Sequence, residues 1–274
     1  MGAAESILEQ RSGAGAEANR SIVPGRFAGQ VALVVGGAQG IGRSIAHRLG
    51  LEGARVAIAD IDEEMMAATG CQLLAEGCDV RTVACDVRSG SDVAQMVDSV
   101  LEWRRQIDVL MYIAGVCTAV PFVDTTEEIW DWTVDTNLKG AFLVAKAVVP
   151  HMVERRRGKL VFMSSTNSWD AEELQAPYNV SKAGVFILAK TLARELARFG
   201  INSNAVGPGF IRTRLTEQFF NEPKFMKKYL ENGAIPMGRF GEADDVAGPA
   251  TFLASGDADY VNGVLLLVDG GLLA

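Results

Sequence analysis

The chain has 274 residues, of which 49% are hydrophobic and 22% are charged, so one large domain with an extended core is expected rather than a disordered chain. The 34 acidic residues outnumber the 26 basic ones, and the formal net charge of −8 disfavours nucleic acid as a partner. No apolar run reaches the roughly 20 residues that span a bilayer, and no signal-peptide pattern is present, so we predict a cytoplasmic protein without a membrane partner.

Residues 1–27 are rich in Gly, Ala, Glu and Ser, which predicts a flexible N-terminal extension before a single domain at residues 28–274. In that domain, short apolar runs alternate with stretches of helical periodicity. Seven strands are predicted, at residues 31–35, 56–59, 81–84, 109–113, 160–163, 203–206 and 264–268. Helices are predicted from Ile41, Asp62, Ser91 and Tyr178, near Glu242, and over residues 127–136 and 138–157.

Most predicted strands are apolar along their whole length, as expected when both faces of a sheet are covered. Strands that alternate with helices favour parallel pairing. The sequence therefore predicts the α/β class, with a single doubly wound Rossmann-type domain. Its seven-stranded, mostly parallel sheet carries helices on both faces.

The first strand runs directly into Gly36-Gly37-Ala38-Gln39-Gly40-Ile41-Gly42, and a helix follows. Gly36, Gly40 and Gly42 permit a tight turn and a close approach of the backbone to a pyrophosphate, whose charge is met by the helix N-terminus. A glycine-rich turn alone is a weak signal, but this strand-turn-helix setting supports a dinucleotide site.

Asp60 lies at the end of the second strand, 18 residues after Gly42. A carboxylate there accepts hydrogen bonds from ribose hydroxyls and repels a 2′-phosphate. Gln39 and Ile61, beside these positions, are uncharged, and Arg43 is the one nearby cation. We therefore predict NAD as the cofactor, with NADP less favoured.

The glycine spacing and several later motifs resemble those of the short-chain dehydrogenase/reductase family. The motifs lie in the family's order from about residue 28 to the C-terminus. They are the glycine turn, Asp86-Val87, Ala114-Gly115, Asn137, Ser165, Tyr178-Asn179-Val180-Ser181-Lys182, Pro208-Gly209, Thr213 and Val268-Asp269-Gly270-Gly271.

The resemblance implies further contacts with the cofactor. Asp86 and Val87 would contact the adenine, Ala114 and Gly115 its ribose side, and Ile211 and Thr213 the nicotinamide carboxamide and a nearby phosphate. The full set of predicted cofactor residues is Gly36, Gln39, Gly40, Ile41, Gly42, Asp60, Ile61, Asp86, Val87, Ala114, Gly115, Tyr178, Lys182, Pro208, Gly209, Ile211 and Thr213.

The chain departs from the family at two places. Val35 stands where the family usually has Thr, and Tyr112-Ile113 stands where it usually has Asn-Asn. The replaced polar groups normally tie neighbouring strands together. We therefore expect an effect on local packing rather than on the chemistry, together with a possible loss of cofactor affinity.

Tyr178 and Lys182 are four residues apart, which places them on one face of a helix. A lysine ammonium beside a phenol stabilises the phenolate, so we expect a lowered pKa for Tyr178 and a role as general acid/base. Ser165 follows a strand and can donate to a substrate oxygen as charge develops there. By resemblance, Asn137 would anchor a water that links Lys182 to solvent. The predicted catalytic residues are Asn137, Ser165, Tyr178 and Lys182.

Residues 166–177 lie between Ser165 and Tyr178 and must wall the reacting carbon. The predicted substrate contacts are Cys117, Ser165, Asn167, Trp169 and Tyr178. Glu172 and Glu173 could bind hydroxyls or face solvent. Residues 214–239, which we call the lid segment, are expected by resemblance to close over the substrate. Two acids and an aromatic residue favour a neutral secondary alcohol that is cyclic or hydroxylated.

Three other functions are alternatives to an NAD-dependent alcohol dehydrogenase. An NADPH-dependent ketoreductase is disfavoured by Asp60. A non-catalytic dinucleotide-binding scaffold or sensor is disfavoured because the four catalytic residues are present. A serine hydrolase would need a G-x-S-x-G elbow, which does not occur.

The four cysteines lack C-x-x-C spacing and neighbouring histidines, so no metal site is expected. By resemblance the chain should form a homotetramer through the helices near Leu138 and Tyr178 and through its C-terminal segment. Its hydrophobic ending, Gly271-Leu272-Leu273-Ala274, agrees with that expectation.

Overall fold

The computed structural model of the protein describes residues 21–274. Its main sheet has seven strands, all paired in parallel. In chain order they are β1 (Val31–Val35), β2 (Arg55–Asp60), β3 (Asp79–Ala84), β4 (Val109–Tyr112), β5 (Gly158–Met163), β6 (Ile201–Pro208) and β9 (Leu265–Val268). Two short strands, β7 (Ile211–Arg212) and β8 (Gly241–Glu242), form a separate pair.

The helices lie between the strands along the chain. They are α1 (Gly40–Leu51), α2 (Glu63–Ala75), α3 (Gly90–Arg104), α4 (Glu127–Val134), α5 (Gly140–Arg155), α6 (Ala176–Leu196), α7 (Glu217–Phe220), α8 (Pro223–Met226) and α9 (Ala243–Ala254). A π-helical turn, Asp135–Lys139, joins α4 to α5.

The strand order in the sheet is β3-β2-β1-β4-β5-β6-β9. The chain first builds outward from β1 to β3 and then returns to place β4 on the other side of β1. This reversal is the topological switch point of a doubly wound sheet, where ligands bind at the carboxyl ends of the strands. Gly36, Ala114 and the residues that follow them come together at this edge.

Apolar side chains fill both faces of the sheet. All five residues of β1, Val-Ala-Leu-Val-Val, are buried, as a strand between two helical layers requires. One core cluster joins the sheet to α3, α5 and α6, and the other joins it to α1, α2 and α9. The predicted fold class is therefore confirmed, and the sheet is wholly parallel.

The last residues of the predicted N-terminal extension pack against the domain. Residues 1–20 lie outside the described residues, but Phe27 has no exposed surface and belongs to the core cluster on the α1 side. The turn before it is fixed to Glu52, because the Phe27 amide donates to the Glu52 carbonyl at 3.0 Å and Arg26 approaches its carboxylate at 3.4 Å. The packed part of the chain thus includes residues that their Pro-Gly composition assigned to the extension. Within residues 21–274, no helix is long and apolar enough to cross a membrane.

Candidate active site

The glycine-rich turn after β1 has no room for side chains. A Cβ on Gly36 would lie 2.4 Å from the Ala114 nitrogen, and one on Gly42 would lie 1.9 Å from the Gly36 carbonyl oxygen. Gly36 and Gly40 also have positive φ angles of 82° and 54°, which favour glycine. Gln39 caps α1 without a side-chain hydrogen bond, so the backbone amides of the first turn remain available to an anion. This cradle fits a pyrophosphate.

Asp60 is fixed at the end of β2 by backbone donors. The Ala38 amide donates to Oδ2 at 3.0 Å, and the Asp62 amide donates to Oδ1 at 3.1 Å. The carboxylate therefore ties the glycine turn to the next strand and places a negative charge beside it.

A cavity of about 850 Å³ extends along this edge of the sheet. Most predicted cofactor residues line it, namely Gly36, Gln39, Gly40, Ile41, Gly42, Asp60, Ile61, Asp86, Val87, Ala114, Gly115 and Thr213. Its size suits a dinucleotide-sized ligand, since ligand sites usually measure about 300–1,000 Å³.

Pro208, Gly209 and Ile211 do not line this cavity. The Gly209 amide donates to the Val268 carbonyl at 3.0 Å, which holds the end of β6 against β9. The Ile211 side chain is buried and lines a separate cavity of about 220 Å³. These three predicted cofactor residues therefore do not contribute to the lining of the larger cavity.

The cavity has lining residues that sequence reasoning missed. Arg88 follows Asp86 in the loop after β3, and its guanidinium pairs with the Asp86 carboxylate at 2.6 Å. Trp132 and Thr136 come from α4 and the π-helical turn. The lid segment contributes Leu215, Glu217, Gln218 and Asn221, so it lies against the cavity predicted for the cofactor. Of these residues, only Arg88 could have been predicted, because it directly follows the Asp86-Val87 motif.

Tyr178, Lys182 and Ser165 come together beside the Gly115–Cys117 end of the cavity, although they are not among its lining residues. The Lys182 ammonium lies 5.5 Å from the centre of the Tyr178 ring and donates to the Met163 carbonyl at 2.9 Å. A Cβ on Gly115 would stand 3.1 Å from Lys182 Nζ, so the loop after β4 reaches the amine closely. Tyr178 and Lys182 project from the start of α6, as their spacing predicts.

The pKa of Tyr178 is raised from its ordinary value, not lowered as the sequence predicts. Burial, with a smaller contribution from Cys117, raises the pKa of Tyr178, and a hydrogen bond with Ser165 opposes this rise. Burial also lowers the pKa of Lys182 to about 8. Desolvation is therefore the main influence on the pKa of both groups.

Asn137 occupies the π-helical turn between α4 and α5 and has no exposed surface. Its Oδ1 accepts from the Val116 amide at 2.8 Å, and its Nδ2 donates to the Val116 carbonyl and to the Ser181 hydroxyl, both at 3.0 Å. Oδ1 would also lie 3.2 Å from a Cβ on Gly115, so it borders the space beside Lys182. Asn137 thus fixes the loop after β4 against α6.

Tyr112 makes a polar contact at a position where the family usually has Asn. Its hydroxyl donates to the Thr136 carbonyl at 2.5 Å, which ties β4 to the π-helical turn directly before Asn137. The ring leaves no space at Gly140, where a Cβ would lie 2.3 Å from the hydroxyl oxygen. The departure at residue 112 therefore changes how the turn is held, as expected for an effect on local packing.

The predicted substrate residues have different surroundings. Cys117 lines the cavity, whereas Asn167 is buried next to Ser165 and Trp169 is 76% exposed. Glu173 is exposed, but Glu172 does not face solvent freely, because its carboxylate accepts hydrogen bonds from Tyr229 and Lys228 of the lid segment.

The four cysteines are free thiols. Within residues 21–274, no three His, Cys, Asp or Glu side chains are grouped in a way that could hold a metal ion.

Several known proteins are similar to the chain over most of its length. A family model described as enoyl-(acyl carrier protein) reductase matches residues 36–273. The chain is 38% identical over 250 residues to the 3-oxoacyl-[acyl-carrier-protein] reductase of Thermotoga maritima, covering 90% of this chain and 99% of that protein. It is 37% identical over 253 residues to the L-rhamnose-1-dehydrogenase of Scheffersomyces stipitis, covering 90% and 97%.

A solved structure of levodione reductase superimposes with a TM-score of 0.85 at 32% identity, covering 89% of this chain and 98% of that one. The fold, the site and these relatives together define an oxidoreductase with a nicotinamide dinucleotide site. The chain belongs to the short-chain dehydrogenase/reductase family.

Proposed function

We propose that the chain is an NAD-dependent oxidoreductase that interconverts a secondary alcohol and its ketone, with Tyr178 as the general acid/base. The observation that carries this proposal is the convergence of Tyr178, Lys182 and Ser165 beside the Gly115–Cys117 end of a dinucleotide-sized cavity. Its relatives include enzymes named as reductases and as a sugar dehydrogenase, which supports chemistry at a CH–OH centre.

The nicotinamide ring, when bound, accepts or supplies the hydride. The protein's own groups manage the proton. Tyr178 takes the proton of the alcohol as its own phenol proton leaves toward Lys182, and Ser165 stabilises the substrate oxygen as its charge changes. Lys182, whose amine has a pKa of about 8, passes the proton onward. Asn137 is proposed to hold the water at the end of this route.

NAD is favoured over NADP because the charges near the turn disfavour a 2′-phosphate. Asp60 places a carboxylate beside the adenosine end of the cavity. Arg43 turns toward Gln72 on α2, Arg88 pairs with Asp86, and Arg214 lies 3.8 Å from Asp62. If the NADPH-dependent ketoreductase alternative holds, NADPH will bind more tightly than NADH.

The substrate is proposed to be a neutral secondary alcohol, cyclic or hydroxylated. Asp170, Glu172 and Glu173 give the loop between Ser165 and Tyr178 a negative charge, which disfavours an anionic substrate. Trp169, exposed on the same loop, offers an aromatic face to a ring or a sugar.

The test is a panel of neutral secondary alcohols and sugars, with 2-hydroxy acids as the anionic comparison, assayed with NAD and with NADP by formation of the reduced nicotinamide. We expect turnover with NAD and a neutral alcohol, and at least about tenfold weaker use of NADP, which corresponds to ~1.4 kcal/mol. Preference for NADP or for hydroxy acids would contradict the corresponding part of the proposal.

The predicted homotetramer and the cytoplasmic location remain proposals. Apolar side chains are exposed on α5 and α6, at Phe142, Val180 and Ile187, and β9 is an edge strand of the sheet. Such surfaces favour burial against further copies of the chain.

A further inference from the structure

A chain of hydrogen bonds begins at Ser165 and runs through buried amides. The Ser165 hydroxyl donates to Asn167 Oδ1 at 3.2 Å, and the Asn167 backbone amide donates back to Ser165 Oγ at 3.1 Å. Asn167 Nδ2 then donates to Asn179 Oδ1 at 2.7 Å and to Gln175 Oε1 at 3.0 Å. Both hydrogens of the Asn167 amide are therefore used within the protein, which leaves none for a substrate.

The chain continues from Asn179 to the lid segment. Asn179 Nδ2 donates to the Glu172 backbone carbonyl at 2.8 Å. The carboxylate of Glu172 accepts from the Tyr229 hydroxyl at 2.6 Å and from Lys228 Nζ at 3.3 Å. Glu172 thus connects the two sides, because its backbone carbonyl binds the buried amides and its carboxylate binds the lid segment.

Tyr229 is a firm anchor on the lid side. Its side chain is 3% exposed, and its ring centre lies 4.4 Å from that of Phe210 and 4.6 Å from that of Phe225. Burial and the Glu172 carboxylate raise the pKa of Tyr229, so its hydroxyl stays protonated and keeps donating. Movement of the Phe210, Phe225 and Tyr229 rings must therefore move or break the hydrogen bond from Tyr229 to Glu172.

We propose that Asn167, Asn179 and Glu172 are positioning residues that couple the lid segment to Ser165. When the lid segment is seated, Tyr229 fixes Glu172, Glu172 fixes Asn179, and Asn179 holds Asn167, whose backbone amide fixes the Ser165 oxygen. The Ser165 hydroxyl hydrogen can still turn from Asn167 Oδ1 to a substrate oxygen. Asn179 directly follows Tyr178 on α6, so the same contacts also restrain the start of the helix that bears the proposed acid/base. The catalytic consequence of this coupling rests on the proposed function, whereas the coupling itself does not.

The alternative role for Glu172 is direct binding of a substrate hydroxyl. Its two carboxylate oxygens already accept from Tyr229 and Lys228, so that role would require the lid segment to release it. Partly satisfied buried networks are costly, which favours keeping these bonds in place.

The test is hydrogen exchange of the full-length protein, followed by mass spectrometry, for wild type and Tyr229→Phe. The variant removes one hydroxyl from the lid segment and leaves the sequence of the loop between Ser165 and Tyr178 unchanged. We expect exchange of residues 166–176 to rise by roughly tenfold, since the loop loses a hydrogen bond to a charged group. Tyr260→Phe is the matched control, because Tyr260 is fully exposed, and it should leave the exchange unchanged.

Glu172→Gln provides a second variant at a partly exposed position, and it keeps an oxygen that can accept from Tyr229. It should raise the exchange of residues 166–176 less than Glu172→Ala does. Faster exchange confined to residues 214–239, with residues 166–176 unchanged in Tyr229→Phe, would overturn the coupling. Equal effects of Glu172→Gln and Glu172→Ala would overturn the part assigned to the Tyr229 contact.

The kinetics of Tyr229→Phe are measured with the alcohol that the panel of neutral secondary alcohols and sugars identifies. Displacement of Ser165 acts on the chemical step, so Tyr229→Phe should lower kcat by about tenfold or more and not merely raise KM. A rise in KM alone would mean that Tyr229 only shapes the substrate site. The exchange experiment needs no substrate, so an absence of alcohol oxidation would contradict the proposed function and leave the coupling to be judged on exchange.

Discussion

At the scale of single residues, burial governs both Tyr178 and Lys182. Removal from water favours the neutral phenol, which raises the pKa of Tyr178, and the neutral amine, which lowers the pKa of Lys182 to about 8. Lys182 is therefore charged below that pH and increasingly neutral above it. A neutral amine can accept the proton that the Tyr178 phenol gives up as it takes the alcohol proton, and an ammonium cannot.

The lowered pKa of Lys182 predicts a pH dependence of alcohol oxidation. We expect kcat/KM to rise as the pH increases through about 8, where the Lys182 amine loses its proton. In Lys182→Arg this rise should disappear, because a guanidinium stays protonated over the whole accessible range. Initial rates measured from pH 6 to 10 on both proteins provide the check. The same rise in Lys182→Arg would assign it to another group.

Gly42 gives a second prediction at this scale. Helix propensity alone favours alanine over glycine by about 1 kcal/mol, yet a Cβ at Gly42 would lie 1.9 Å from the Gly36 carbonyl oxygen. The clash should dominate, so Gly42→Ala should weaken NAD binding by at least roughly tenfold, equivalent to ~1.4 kcal/mol.

Calorimetric titration with NAD measures this effect. The matched control is Gly90→Ala in the first turn of α3, where a Cβ would meet no atom within 4 Å. Gly90→Ala should bind NAD as wild type does. Wild-type affinity in Gly42→Ala would mean that the turn can open without affecting the dinucleotide site.

At the scale of elements, motifs that lie close together in sequence could be predicted, whereas contacts between elements could not. The four-residue spacing of Tyr178 and Lys182 indicates a shared helix face, and α6 confirms it. The contact of Tyr112 with the π-helical turn depends on how β4 approaches α5, and no local pattern encodes that approach. The amide chain from Asn167 to Glu172 escaped prediction for the same reason.

The turn before β1 shows how tertiary contacts override composition. Its Pro-Gly sequence is typical of a flexible extension, but Phe27 is fully buried in the core cluster on the α1 side of the sheet. We expect Phe27→Ala to lower the free energy of unfolding by about 3–5 kcal/mol, because it empties a fully buried site.

Urea denaturation monitored by circular dichroism measures the Phe27→Ala change. Phe122→Ala, at a side chain that is 75% exposed, is the control and should change the free energy by less than about 0.5 kcal/mol. Equal stability of the two variants would contradict the assignment of Phe27 to the core.

At the scale of the whole molecule, the alternation of strands and helices was enough to predict the sheet and its two helical layers. The edge proposed to bind the cofactor also followed, because Gly36 and Ala114 come directly after neighbouring strands at the switch point. The sequence predicted only a class of substrate and no particular alcohol, since the loop and the lid segment proposed to enclose it carry no motif.

The exposed apolar side chains of α5 and α6 predict that the chain associates. Ile187→Asp places a charge in the proposed contact, where it would be desolvated, and should shift the protein from tetramers to smaller species. Light scattering after size-exclusion chromatography measures the mass. An unchanged mass in Ile187→Asp, or a wild-type protein that is already monomeric, would contradict the proposed assembly.

The most direct test of the account is the turnover of Tyr178→Phe with NAD and the preferred alcohol, compared with wild type. The substitution removes only the hydroxyl that is proposed to take the proton. NAD affinity should therefore remain within about threefold of wild type, while kcat falls by roughly 10²–10⁴-fold, the usual contribution of a general acid/base. Turnover close to that of wild type in Tyr178→Phe would contradict the central claim.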